Sequence, residues 1–422
     1  GTPVLIRGDV DAKPGANIGD GDIRLRSMVD TLKHGQKKGW IQIITGHIGR
    51  KPEGSLNKVA DRLSALLGTK VSLVSDWLDD ATATVKDEAV QAIKAAKPGD
   101  VIVLENSRKY GLETVLWKAK EKDVAGLSEK LAKLANEVAT KIAKVYVHEA
   151  LSAGSLDSTS VVFPIAMEKV ALGLYIEDQF RGPMLRCRNA ELVVFSGIKI
   201  DKLDDLQAIV ERGKVKMVIS AGSLAMSLMK ANAMLEGKDF CLGVTEEASH
   251  SDKPYYIEPA RYEQAKQVLA LGKKNGVEFV LPADFTLGDG RVVETLKPGD
   301  QQFDVGPKAS EKYAQKIGEF IEWNKQAVAA GKPALVAFHN GVFGMFEDAR
   351  FENGTKNFMT QLKRLKDAGV EVYVGGGEGG TAIEKYGQPE WITHCFTAGG
   401  TVLNALGSQP IPYLQALYLA KK

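Results

Sequence analysis

The stretch VEVYVGGGEGGTAIEKYG, residues 370–387, opens as an apolar run of strand length, places five glycines in positions 375–380, and continues with helical spacing. Strand, bare turn and helix form the repeating step of a parallel α/β sheet, because a parallel strand can pair again only after the chain has crossed one face. The step recurs on both sides. VLI (4–6), IQIIT (41–45), VIVLE (101–105) and VYV (145–147) alternate with amphipathic stretches at 23–39, 59–68 and 129–143. A second series follows: LVVFSG (192–197), KMVISAG (216–222), VEFVLP (277–282), ALVAFH (334–339) and VEVYVGGG (370–377). The pattern predicts two doubly wound α/β domains with parallel sheets. Between them ALGLYIEDQFRGPML (171–185) is predicted as a hinge helix, with Gly182-Pro183 marking the boundary.

Composition agrees with this division. A chain of 422 residues, 44% hydrophobic and 26% charged, can bury two cores. Its net charge of +2 gives no global basic field for nucleic acid, so any anion site must be a local cluster. Cys187, Cys241 and Cys395 are odd in number and widely spaced, which argues against a disulfide framework or a zinc site and for a reducing compartment. No apolar run approaches the roughly 18 residues of a membrane span. The chain begins GTPVLIRGD, already strand-like and without Met, so a missing N-terminal piece carrying an organelle address is allowed for; the expectation otherwise is the cytoplasm.

In a parallel α/β sheet, ligands meet the carboxyl ends of the strands. In the first half those ends carry Arg7, Arg50 and Arg108, with Arg24 in the following loop-to-helix segment. Each alone reads as a surface charge, but four at one sheet edge suggest a small polyanion, since a guanidinium fork matches carboxylate and phosphate oxygens. His47 reads either as a further anion contact or as a hydrogen-bonded loop histidine. In the second half the exits are glycines: SGIK (196–199), SAGS (220–223), HNGVFGMFE (339–347) and GGGEGG (375–380). Bare backbone at a helix start offers amide donors and a positive dipole end to phosphates. Lys199 could neutralise a phosphate, and Glu378 could hold Mg²⁺. GxxxxGK[ST] is absent, and no GxGxxG follows the first strand, which removes a P-loop and a nicotinamide oxidoreductase. One domain offering arginines to a compact acid and another offering amides, a lysine and a metal ligand to a polyphosphate is what phosphoryl transfer requires, closed by a hinge that excludes water.

These residues resemble the phosphoglycerate kinase family, from residue 4 to about 415. The resemblance is carried by RGDVDAK (7–13), GDIRLR (21–26), GHIGRKPEGSL (46–56), VIVLENSR (101–108), VYVHEA (145–150), SGIK (196–199), DVGPK (304–308), NGVFGMFE (340–347), GTK (354–356), VGGGEGGTAIEKYG (374–387) and THCFTAGGTVL (393–403). It implies Rossmann-like domains at 1–170 for the acid and 186–406 for the nucleotide, a hinge at 171–185, and a tail, 407–422, that returns to the first domain. It also implies a monomer moving the acyl phosphate of 1,3-bisphosphoglycerate to Mg-ADP. Asp9, Asp11, Arg24, His47, Arg50 and Arg108 are similar to the 3-phosphoglycerate site, with Arg24 nearest the group transferred. Lys199, Lys202, Gly222, Lys308, Asn340, Glu347, Gly375, Gly376, Gly377 and Glu378 are similar to the nucleotide side, with Mg²⁺ on Glu378. Gly376, Gly399 and Gly400 resemble the amide cradle for the group in flight.

The departures are specific. Leu156 stands where the family has an arginine, Asp11 where it has an asparagine, Glu378 where it has an aspartate, Gly379 where it has a hydroxyl residue, and Gln179 where an acid is usual. His148 and Glu149 replace an Asn-Asp pair, and Lys202 takes the place of a second lysine in a shifted register. Retention of Arg24, Arg50, Arg108, Lys199 and an acid at 378 favours an active kinase; the losses at 11, 156, 179 and 379 favour a weakened or inactive paralogue with a binding role.

Overall fold

The computed structural model describes residues 1–198, 200–407 and 409–420, and the chain divides into two compact units. The first is Gly1–Gly182 together with the stretch from Pro410, and the second is Pro183–Gln409.

The first unit is built on β1 (Pro3–Gly8), β2 (Ile41–Thr45), β3 (Val71–Val74), β4 (Val101–Leu104), β5 (Val145–Glu149) and β6 (Lys169–Leu172). They form one sheet in the order β3-β4-β2-β1-β5-β6, parallel throughout. The central strands are continuous apolar, β-branched runs because both faces are covered. Alternation assigns the faces: Leu5, Ile43 and Ile102 enter one core cluster, while Val4, Ile6, Ile44, Val101 and Val103 enter the other. Helix Pro412–Leu419 belongs to this unit, with Leu417 in the Leu5 cluster and the Tyr413 ring stacked 3.9 Å from His148.

The second unit repeats the plan with β7 (Leu192–Phe195), β8 (Met217–Ser220), β9 (Glu278–Val280), β10 (Val336–Asn340), β11 (Glu371–Gly375) and β12 (His394–Phe396). Their order is β9-β8-β7-β10-β11-β12, again parallel. A small antiparallel sheet of Phe285–Leu287, Val292–Val293 and Gln302–Val305 lies beyond β9 in sequence.

The structure changes several expectations. The predicted hinge helix 171–185 is the end of β6, helix Leu174–Arg181 and helix Pro183–Cys187, broken where Gly182 precedes a proline and leaves helical geometry. The stretch 23–39 is two helices, Ile23–Ser27 and Val29–Lys37. Strands β3, β6 and β12 were not expected from the spacing, and all three are sheet edges. No helix among the described residues is long and apolar enough to cross a membrane.

Leu5 is fully buried on the central strand β1, so Leu5→Ala leaves a cavity there. The expected cost is about 2–5 kcal/mol, read as a lower denaturant midpoint of the first unit's unfolding transition.

Candidate active site

The carboxyl end of β1 carries Arg7 and Asp9, both enclosed. Arg7 is fully committed within the protein: Nε donates to Ser160 Oγ at 3.2 Å, Nη1 to Gly8 O at 2.8 Å, and Nη2 meets His47 Nδ1 at 2.7 Å and Asp157 Oδ2 at 3.4 Å. Arg7 is therefore a buried strut and not an open strand-exit charge. His47 is held below its ordinary pKa by burial first, then by the charges of Arg7 and Arg108, with Asp157 pulling the other way. His47 is a hydrogen-bonded loop histidine inside the arginine cluster, its Nδ1 turned to Arg7 and Asp157.

Arg24 projects from the first turn of helix Ile23–Ser27. Its Nη1 donates to Asp11 Oδ2 at 3.0 Å and to Asp11 O at 2.9 Å, and its Nε lies 3.8 Å from Asp9 Oδ1. The second oxygen of Asp11 accepts from Gly49 N at 2.9 Å. Burial alone would raise the Asp11 carboxyl, but the Gly49 N–H and the charges of Arg24 and His47 bring it below the usual range. The added carboxylate at 11 thus has the arginine partner that keeps it from acting as a bare negative charge. Asp9 accepts from Ser152 Oγ at 2.6 Å.

Arg50 and Arg108 line a cavity of about 340 Å³ with Trp117, Ser155 and Leu156. Arg108 donates to Gly49 O at 2.6 Å and to Asp157 Oδ2 at 3.3 Å, and its guanidinium carbon lies 4.6 Å from the Trp117 ring centroid. Asp157 and Trp117 were missed in the sequence. Asp157 reads there as the polar start of the short helix Ser158–Val161, and nothing local links it to arginines 49 and 150 residues away. Behind this cluster Glu113 accepts from Thr159 N and Oγ1 and from Ser107 Oγ; burial and then the charge of Asp157 push its carboxyl up to about 7.

In the second unit the glycine exits assemble at the ends of β7, β10, β11 and β12. Asn340, the last residue of β10, donates Nδ2 to Gly375 O at 2.9 Å. Gly376 has φ +93°, and a Cβ on Gly399 would come within 3.0 Å of both Asn340 Nδ2 and the Gly376 α-carbon, so side chains are excluded here. Helices Gly377–Tyr386 and Gly400–Leu406 begin at this point, and nothing lies within 4 Å of where a Cβ on Gly377 or Gly400 would stand. Gly379 is bare for a packing reason: a Cβ would meet Val374 Cγ1 at 2.9 Å. Lys202 Nζ donates to Ser196 O, and Glu378 is exposed in the first helical turn. Lys199 lies outside the described residues.

A cavity of about 660 Å³ opens beside this cradle, reached by Gly197, Gly222, Glu347 and Glu378. Phe303, Val342, Phe343 and Met345 make much of its wall apolar, suited to a flat ring. Lys308 is exposed and ion-paired with Glu294, and it is not among the residues lining this cavity. The DVGPK contribution is instead Asp304, which the sequence reading passed over. It accepts from Gly354 N and Val305 N, both at 2.8 Å, and its carboxylate fills the space a side chain would need at Gly344 and Gly354. Burial pushes its carboxyl up to about 7. Among the described residues no group of three or more His, Cys, Asp or Glu side chains is placed to hold a metal.

The family model for phosphoglycerate kinase matches residues 1–409. The chain is 27% identical to the phosphoglycerate kinase of Parasynechococcus marenigrum, covering 99% of this chain and 95% of that one. It is 28% identical to that of Clostridium perfringens strain SM101, covering 99% and 96%. In fold it is similar to the crystal structure of phosphoglycerate kinase from Pyrococcus horikoshii, with a TM-score of 0.73, 23% identity and coverage of 99% and 96%. The structure of phosphoglycerate kinase from Coxiella burnetii gives a TM-score of 0.68 at 21% identity, with the same coverage. A two-unit α/β phosphotransferase with a carboxyl group as acceptor is the class these findings define. The chain belongs to the phosphoglycerate kinase family.

Asp304 supplies a pH test. A carboxyl near 3.8 when unfolded and near 7 when folded keeps its proton longer in the folded state, so its contribution to stability is present at low pH and falls as pH rises through that window. Asp304→Asn is expected to flatten the decline in denaturant midpoint between pH 5 and pH 8; an identical decline in both proteins removes Asp304 as its source.

Proposed function

We propose that the chain transfers a phosphoryl group between the carboxyl of 3-phosphoglycerate and ADP/ATP, with the acid on the first unit and the nucleotide on the second. The observation that carries the reading is the pairing, in one family-length chain, of Arg24, Arg50 and Arg108 around the strand ends of one sheet with a side-chain-free amide cradle on the other. In the direction of ATP formation a β-phosphate oxygen of ADP attacks the acyl phosphorus, the bond from phosphorus to the acyl oxygen breaks, and the carboxylate leaves with the electron pair. Arg24 neutralises charge on the oxygens in transit, and the amides at Gly376, Gly377, Gly399 and Gly400 hold them in place. The wall of Phe303, Val342 and Phe343 takes the base, and Glu347 takes a ribose hydroxyl.

Mg²⁺ fits the donor set as a nucleotide-borne ion. Glu378 is an exposed carboxylate at the cradle, and Mg²⁺ is commonly held by one or two carboxylates with phosphate oxygens and water. When bound, the ion would offset phosphate charge. Three unpaired cysteines support a reducing compartment, the cytoplasm.

A steady-state assay with 3-phosphoglycerate and Mg-ATP tests the reading, and a rate at background under saturation rejects it. Arg24→Ala is expected to lower turnover by about 10²–10³ while the ADP dissociation constant stays within about twofold; an unchanged turnover takes Arg24 out of the chemistry.

A further inference from the structure

Asp157 is fully buried beside the acid-site cavity and meets three donors. Arg7 Nη2 and Arg108 Nη2 reach Oδ2 at 3.4 and 3.3 Å, and Trp117 Nε1 donates to Oδ1 at 2.9 Å. His47 Nδ1 stands 3.4 Å from the same Oδ2. A carboxylate behind the cavity wall therefore already offsets part of the positive charge that an incoming anion would meet there. Of the guanidiniums around the cavity, Arg7 is consumed inside the protein and Arg108 is shared with Asp157 and Gly49 O. Arg50 is exposed, with no ion pair or hydrogen bond to another described residue, and the neighbouring wall is Leu156, 43% exposed.

We propose that Asp157 is a specificity-determining residue that stands in for the ligand's own anion, so that the acid's distal group binds in the Arg50–Leu156 cavity nearly as well without a phosphate as with one. The inference rests on the acid-site reading above and names the class of acid the site accepts. A phosphate brought toward Arg108 gains that attraction and meets repulsion from the carboxylate paired with it. What is left is Arg50, and an exposed ion pair of that kind changes affinity by about fivefold or less. Leu156 gives a charged group nothing and an apolar or hydroxylated one a surface to cover. The site then takes short hydroxy acids whose tails are uncharged on terms similar to 3-phosphoglycerate.

The test compares 3-phosphoglycerate with glycerate, the same acid without its phosphate, by calorimetric titration of the whole chain. In the unaltered protein the two dissociation constants are expected to agree within about tenfold. In Asp157→Asn, which keeps an acceptor for Trp117, the preference for 3-phosphoglycerate is expected to widen at least tenfold, with ADP binding unchanged. A preference above tenfold in the unaltered protein overturns the assignment whether or not the variant folds, and so does an unchanged preference in a folded variant. Binding of both acids with the wrong preference overturns only the role of Asp157. Failure of either acid to bind, with no turnover, overturns this role and the proposed function together.

Discussion

A guanidinium shut away from water at the end of a central strand governs the arginine-rich edge of the first unit. Removing a charge from water costs several kcal/mol unless every donor is met. Arg7 has four partners, Gly8 O, Ser160 Oγ, His47 and Asp157, with contacts at all three of its nitrogens. In doing so it ties the end of β1 to the loop after β2 and to the segment following β5. Arg108 and Trp117 join through the same carboxylate, and Arg24 is fixed through Asp11, whose other oxygen holds Gly49 N. The arginine-rich edge is thus a lattice of alternating charges in which Arg7, Arg24 and Arg108 are each held by carboxylate or carbonyl oxygens of the same unit.

The glycine-rich edge of the second unit is organised by the opposite device, in which side chains are absent where others need the room. Asp304 occupies the volume that residues 344 and 354 leave open, and Asn340 sits where a side chain on 376 or 399 would have to go. The glycines of NGVFG, GTK and GGGEGG therefore answer to particular neighbours as well as to a ligand. Gly379 shows the point most directly, since the space a hydroxyl residue would need is taken by Val374.

The parts of this architecture visible in the sequence are those with a strong local signature. Strands buried on both faces, such as β1, β2, β4 and β7, read as unbroken apolar runs, whereas β6, with its alternately exposed KVAL, and the three-residue β12 carry too little pattern to stand out. The hinge stretch looked like one helix because its apolar spacing is helical, yet Gly182 and Pro183 cut it. Arg24, His47 and Arg108 could be picked because basic residues at strand exits have few bland explanations as a set. Asp157 and Asp304 could not: their importance lies in partners far along the chain, and each looks locally like an ordinary cap or turn. The apolar cavity wall was not singled out either: Phe343 and Met345 lie in the quoted NGVFGMFE stretch, which was read for its glycines and Glu347, and Phe303 just precedes DVGPK.

Helix Pro412–Leu419 completes the first unit, placing Tyr413 against His148 and Leu417 among residues contributed by β1 and β2. Domains made of contiguous chain can fold as they leave the ribosome. Here residues 1–182 are made before their last packing partner, and the second unit is synthesised in between. The seat for Tyr413 and Leu417 on the first unit is therefore filled only after the whole of the second unit has been made.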